Sequence, residues 1–519
     1  MKNKDTRDIR QQVINEPASD LNSYPQSTTD TMTDVDFEIV IGLEVHSQLL
    51  TRSKMFCTCG TNYANAAPNT HVCPICMGMP GVLPVINQEA VAFTIMTALA
   101  LNCSIPEYSK FDRKSYHYPD LMKGYQISQY DIPLSSDGYL AIKYQGQERR
   151  IGITRVHLEE DTARSLHHNG YSLIDINRAG TPLMEIVSEP DMRSPEEARL
   201  YMQKLREILV YIGVSSGRME EGSLRCDANV SVRPRGQKKL GVKTEIKNMN
   251  SFRSVERALE FEARRQIEVI RQGGVIHQET RGWIEAKGIT VLQRSKEKAD
   301  DYRYFPEPDL PPLLISKESV EEIRARLPEL PDARRLRLQS EYGLNEQDAN
   351  VMTEDKAVGD YFEQVVAASP AKDHNARAKL ASNWVLSEVV RLLKASSTPI
   401  QESPLSPKSV ANLLDLLDKE RITGKQAKDI LDEAFASGEM PEAIVEKKGI
   451  KPPINDTATL ELIIAEVVEK NPKAALDYRN GKTNAVQALI GQVMKQTRGQ
   501  AKADLVQTLL RKKLDETQA

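Results

Sequence analysis

The chain of 519 residues lacks any apolar run near the roughly 20 residues that cross a bilayer, so no membrane span is expected. Its first residues, MKNKDTRDIRQQVINEP, hold no apolar stretch of the kind a secretory signal needs. Asp5, Asp8, Glu16 and Asp20 make the same segment too acidic for an organellar transit peptide. The expected location is therefore the cytoplasm, where disulfides are disfavoured. G-x-G-x-x-G does not occur, which leaves a dinucleotide-binding turn unsupported. Gly481-Lys482-Thr483 ends like a P-loop, but Leu476 stands where that motif needs glycine. Gly213-Val214-Ser215-Ser216-Gly217 matches G-x-S-x-G, but it follows a helical pattern where a nucleophile elbow needs a strand.

What remains is an ordinary soluble composition, 40% hydrophobic with a net charge of −4, too long for a single core. Residues 1–34 are rich in Ser, Thr, Asp, Asn and Gln and read as a disordered leader. Cysteine is scarce, at six residues, but four fall in the pattern Cys57-x-Cys59…Cys73-Pro-x-Cys76. Two such turns about a dozen residues apart suit one tetrahedral zinc ion. Four sulfur ligands leave no open position for water, so a zinc held there builds structure. It can supply on the order of 10 kcal/mol to local folding. Cys103 and Cys226 read as reduced and buried.

Residues 35–326 read as a mixed α/β domain with many short, largely antiparallel strands, the cysteine loop being an insertion. Ser194-Pro195-Glu196-Glu197 predicts a helix start with a reciprocal capping box, ahead of Tyr201, Met202, Leu205, Ile208, Leu209 and Ile212 on one face. A second helix is expected from about Ser254 to Gly273. Strand signals vanish after residue 319, predicting an all-α domain over 327–450 and a small helical tail over 451–519. Asp456 should cap a helix bearing Leu460, Ile463, Ile464, Val467 and Val468 in one stripe. Basic residues outnumber acidic ones from Lys470 onward, which suits contact with a nucleic-acid backbone. Few aromatics lie there, favouring duplex RNA read by shape.

Chemistry is sought on the strands. In β structure alternate side chains share a face, so Glu44, His46 and Gln48 point together, as do Arg155, His157, Glu159 and Asp161. Arg225, Asp227 and Asn229 share a third face, and Lys243, Glu245 and Lys247 a fourth. Any one could be the wet side of a sheet. Together they supply carboxylates for a divalent cation, with Arg and Lys to clamp nucleotide phosphates, the inventory of phosphoryl transfer. Nothing in the chain suggests a means of generating ammonia.

Several stretches resemble the B subunits of the bacterial and organellar glutamyl/aspartyl-tRNA amidotransferases. They are IGLEVHSQL at 41–49, CPICMGMPGVLPVIN at 73–87, SYHYPDLMKGYQISQYDIP at 115–133, DINRAGTPLMEI at 175–186, EEGSLRCDANVSVRP at 220–234 and DYRYFPEPDLPP at 301–312. The resemblance runs from Phe37 to the C-terminus; the leader is a departure from it. It implies a glutamine-synthetase-like cradle, then a helical domain and a tRNA-binding tail. It implies that Glu44, His46 and Glu159 bind magnesium or manganese, and that Cys57, Cys59, Cys73 and Cys76 bind zinc. Arg155 and Asp227 are further candidate catalytic residues, and Arg225, Lys243 and Lys247 candidate ATP-binding residues. The activity implied is ATP-dependent amidation of Glu-tRNA(Gln) or Asp-tRNA(Asn), within a heterotrimer whose amidase A subunit supplies ammonia and whose C subunit is small. Two other readings stay open at this point: a non-catalytic, zinc-stabilised RNA-binding protein, and a stand-alone ATP-dependent amide ligase.

Overall fold

The computed structural model describes residues 37–295, 302–368, 373–450, 452, 456–479, 484–497, 501 and 503–516. The leader expected over 1–34 lies outside the described residues. Eight strands form one sheet: β1 (Phe37–Gln48), β2 (Ser135–Tyr144), β3 (Gln147–Glu160), β4 (Pro182–Ser188), β5 (Leu224–Pro234), β6 (Thr244–Met249), β7 (Glu279–Ile284) and β8 (Ile289–Ser295). Their spatial order is β8-β7-β6-β5-β1-β4-β3-β2. Only β6 and β7 run parallel; the other neighbours in the sheet are antiparallel.

The period-two pattern of β1 sorts its side chains. Leu43, Val45 and Ser47 are buried on one face, while Glu44, His46 and Gln48 are half-buried on the other. In β5, Cys226, Ala228 and Val230 are buried and Arg225, Asp227 and Asn229 half-buried. The apolar face is covered by α1 (Gln88–Ala100), α2 (Pro195–Tyr211) and α3 (Phe252–Arg271). Ile95, Tyr201, Leu205, Val255 and Leu259 join Ile41, Leu43, Val45, Ile186 and Val230 in one core. The opposite face is left to the polar groups. A three-stranded sheet of Asp112–Ser115, Tyr125–Ser128 and Phe305–Pro306 lies beside the end of β3.

Two helix starts differ in detail from expectation. Ser194 caps α2 by accepting from the Glu197 N–H at 3.2 Å, and Pro195 is its first residue. The Glu197 carboxylate takes the Arg193 N–H at 2.6 Å and pairs with Arg149, so the reciprocal half of the box does not form. The carboxylate is shared between the N–H one residue ahead of the cap and the Arg149 guanidinium. Helix α3 begins at Phe252, two residues ahead of the expected start at about Ser254, with Ser251 as its cap accepting from the Ser254 N–H at 3.0 Å.

Beyond residue 316 the described residues are nearly all helical. The helix Lys317–Arg326 contributes Ile323 to the sheet's core. A second apolar cluster lies between Leu338 and Val445, and a third between Leu460 and Leu514. Asp456 does cap the helix Thr457–Lys470, whose Leu460, Ile464 and Val467 are buried. Buried Arg334 ties the helical region to α2: it donates to the Tyr211 hydroxyl at 2.8 Å and to Glu363 at 2.9 Å. Among the described residues no helix is long and apolar enough to cross a membrane.

Candidate functional site

Strand register assembles the site. His46 of β1 stands between Arg225 of β5 and Glu185 of β4, and Glu185 stands opposite His157 of β3. Four strands far apart in sequence thus place Arg225, His46, Glu185 and His157 in one row on the polar face. Glu159, two residues beyond His157, shares that face. His46 Nε2 lies 3.3 Å from Glu185 Oε2 and 3.7 Å from Glu159 Oε1. His157 Nε2 lies 3.4 Å from Glu185 and 3.8 Å from Glu159. Ser128 Oγ donates to Glu159 at 3.0 Å.

One ligand atom each from His46, Glu159 and Glu185 falls within 4.8 Å of the others, a spacing at which one cation can bridge all three. Hard cations take carboxylate oxygens, and imidazole extends the choice to manganese. Burial opposes the charge of Glu185, but the His157 and His46 imidazoles hold its carboxyl well below the usual range. Burial likewise opposes ionisation of Glu159, yet His157, His46 and Lys114 keep it low against the repulsion of Glu185. The two histidines respond in kind. Burial lowers His157, but Glu185 and Glu159 push it up to about 9, and His46 is raised by the same carboxylates.

The other expected residues distribute around this centre. Arg155 joins it, donating from Nε to His157 Nδ1 at 3.3 Å, with Nη2 3.8 Å from Glu185. Glu44 sits one row along, opposite Asp227, and its carboxylate accepts from Asn229 at 3.2 Å. It is not one of the three convergent ligands. Asp227 pairs with Lys247, which also lies 3.2 Å from Glu245. Arg225 Nη2 lies 3.0 Å from buried Asp161, itself bound by Gln48 at 2.8 Å. Lys243 is exposed just ahead of β6, and among the described residues it forms no ion pair with this face. Lys114 does reach the centre: burial disfavours its charge, but Glu159, Tyr304 and Glu185 keep the ammonium protonated.

Glu185 and Lys114 carry no role in the sequence reading. Glu185 had a signal, being the single acid in the apolar strand PLMEIVS. A lone charge in such a strand needs a partner or an ion.

A second cluster is local. The four sulfurs of Cys57, Cys59, Cys73 and Cys76 lie within 4.8 Å of one another and form no disulfide. The Cys73–Cys76 separation is 3.9 Å, against about 3.8 Å between ligands of a tetrahedral zinc with 2.3 Å bonds. Cys73 N–H donates to Cys76 Sγ at 3.2 Å. A hydrogen bond from Cys57, assisted by the charge of buried Lys54, draws the Cys76 thiol down to about 4, while Cys57 is pushed up. These residues fit zinc. The loop also touches the sheet site, since Gln48 donates to the Tyr63 hydroxyl at 3.3 Å.

Comparison with known proteins decides the family. Residues 39–321 match the GatB/GatE catalytic domain, and residues 360–514 match the GatB domain. The chain belongs to the GatB family. A GatB relative from Carboxydothermus hydrogenoformans, named as the B subunit of an aspartyl/glutamyl-tRNA(Asn/Gln) amidotransferase, is 54% identical over 484 residues, covering 92% of this chain and 99% of its own. The protein of that name from Moorella thermoacetica is 54% identical over 484 residues, 92% of this chain and 100% of its own. One from Thermomicrobium roseum is 52% identical over 486 residues, 93% of this chain and 99% of its own. The GatB catalytic match spans all eight strands of the sheet from Ile39 onward, and so contains both clusters.

Proposed function

We propose that this GatB chain is the B subunit of a tRNA-dependent amidotransferase, and that its sheet face activates the side-chain carboxylate of misacylated Glu-tRNA(Gln) or Asp-tRNA(Asn). The observation that carries the reading is the convergence of His46, Glu159 and Glu185 between cationic groups on either side. A free carboxylate repels a nucleophile. Transfer of the ATP γ-phosphoryl group to it creates an acyl phosphate, and ammonia then displaces phosphate to leave the amide. His46, Glu159 and Glu185 would hold magnesium or manganese, with Glu44 one row away. That ion supplies charge neutralisation for the phosphates. The protein's part is positioning and electrostatics. Arg225 and Lys247 are placed to hold the phosphates of ATP, and Asp161, Asp227 and Glu245 orient those two cations. Arg155 fixes His157, which steadies both carboxylates.

The amide nitrogen comes from glutamine hydrolysed by a partner A subunit, with a small C subunit completing the trimer. Cys57, Cys59, Cys73 and Cys76 bind structural zinc, and the tail beyond residue 451 contacts tRNA. The test is reconstitution with an amidase subunit and a C subunit. Glutamine-dependent, ATP-dependent conversion of Glu-tRNA(Gln) or Asp-tRNA(Asn) is expected, and it should be lost in Glu159→Ala. Full activity of Glu159→Ala in the assembled enzyme would make this face a bystander.

A further inference from the structure

Two of the sequence stretches singled out above, SYHYPDLMKGYQISQYDIP and DYRYFPEPDLPP, hold tyrosines that the reaction scheme does not use. The fold brings them together across nearly two hundred residues. Phe305 pairs with Arg113 in the small sheet, and the Ser115 N–H donates to the Tyr302 carbonyl at 2.8 Å. Four rings then form a continuous run. Tyr116 meets Tyr302 edge-on at 5.8 Å, Tyr302 meets Tyr304 edge-on at 6.2 Å, and Tyr304 stacks on Tyr130 at 4.3 Å with planes 10° apart. The inner end adjoins the carboxylate cluster through Lys114, whose ammonium lies 4.9 Å from the Tyr302 ring centre. The outer end is open, Tyr130 being 57% exposed. A core does not need such a run, and a stacked pair whose outer ring is exposed is the shape of a base-binding surface.

The side of the site matters. Lys247 of β6, paired with Asp227 of β5, stands to one side of His46 and Glu185, while the Arg225 guanidinium crosses toward Asp161. The tyrosines stand on the opposite side, beyond Glu159 at the end of β3. Phosphoryl transfer needs donor and acceptor to approach the centre from opposite directions. If the phosphates of ATP lie on the β5–β6 side, the acceptor carboxylate enters from the tyrosine side. That carboxylate ends the short side chain of an amino acid whose α-carboxyl is esterified to the last ribose of a tRNA, so the terminal base must lie close by.

We propose that Tyr130 and Tyr304, backed by Tyr302, form the stacking subsite for the unpaired 3′-terminal base of the aminoacylated tRNA. This rests on the reading of the sheet face given above. Lys114, at the inner end, lies where the ester-linked amino acid passes toward Glu159 and Glu185.

The experiment uses the assembled enzyme carrying Tyr130→Ala, Tyr304→Ala, Tyr130→Phe or Tyr304→Phe. The KM for aminoacyl-tRNA and the KM for ATP are measured separately. Each alanine variant should raise the KM for aminoacyl-tRNA roughly tenfold to a hundredfold and leave the KM for ATP alone, while phenylalanine restores the wild-type value. Manganese binding followed by electron paramagnetic resonance should not change, which separates loss of a base contact from loss of fold. A rise in the KM for ATP instead would assign the rings to the nucleotide and overturn the proposal. So would an unchanged KM for both substrates in the double alanine variant. Absence of ATP-dependent amidation by the wild-type assembly would strike at the reading of the sheet face itself, and the tyrosine subsite would fall with it.

Discussion

The two faces of the eight-stranded sheet are made by the same strands and obey opposite rules. On the helix side Leu43, Val45, Ala228 and Val230 are at most 1% exposed and share one apolar core with residues of α1, α2 and α3. On the other side His46, Glu159, Glu185, His157, Arg155 and Lys114 crowd together, each charged group depending on another. Burial of apolar area stabilises by about 25 cal/mol per Å² wherever it occurs, so the helix side needs shape and little else. Charges held in a hollow are a liability until a ligand arrives. Residues one position apart on a single strand thus go to opposite faces, one apolar and packed, the other charged and convergent.

The largest effect should come from the polar face. Glu159→Gln and Glu185→Gln are each expected to lower ATP-dependent amide formation by about a hundred- to a thousandfold, as loss of one preorganised electrostatic group does elsewhere. Manganese affinity should fall in parallel. Folding should survive, because an amide keeps the shape and Ser128 still finds an oxygen at position 159. Thermal melting alongside the kinetic assay checks both halves. Leu43→Ala tests the other face and should do the reverse. It should lower unfolding free energy by about 3 kcal/mol while the folded fraction keeps its turnover. A Leu43→Ala protein that folds well but turns over poorly would dissolve the division between faces.

How much of this was legible beforehand follows the same division. The alternation in FEIVIGLEVHSQ announces both faces of β1, and the cysteine pattern announces a cluster because all four thiols lie within 20 residues. The convergent triad is harder. His46, Glu159 and Glu185 come from strands whose order, β1-β4-β3, no local pattern encodes. Glu185, between Met184 and Ile186, therefore shows no sign of its partners in the sequence, and Glu44, two residues from His46, lies one row along from the convergent atoms. Parity groups Lys243 with Glu245 and Lys247, but β6 begins only at Thr244. The tyrosine run was invisible for the same reason as the triad, because Phe305 finds Arg113 only in three dimensions.

The cysteine loop lies between the two extremes, since it is structural yet reaches the polar face through Tyr63 and Gln48. Cys59→Ser should weaken zinc binding at least tenfold, and each tenfold loss removes about 1.4 kcal/mol of linked stability. Amidation should fall less than in Glu159→Gln. Zinc content by atomic absorption and melting with and without a chelator would measure it. Activity falling as far as in Glu159→Gln would move the loop into the reaction itself.

The smallest effect sharpens the contrast from the helix side, where one carboxylate serves packing. Glu285, just after β7, accepts from the Trp283 indole, from Ser254 Oγ at 2.7 Å and from Arg257 at 2.6 Å, pinning the first turn of α3. The indole bond above all, then the serine bond, holds its carboxyl below the ordinary 4.5. A depressed folded-state pKa means the contribution is fully present above that ordinary value and is lost as pH falls through the lower one. Glu285 is half exposed, so solvent limits the effect to less than about 1 kcal/mol. Glu285→Gln should therefore lower the urea midpoint slightly at pH 7, and the gap from wild type should close in acid. A gap that widened on acidification would give Glu285 the opposite sign. It would then behave like a strained group, and the helix side would no longer be the face where charges merely stabilise.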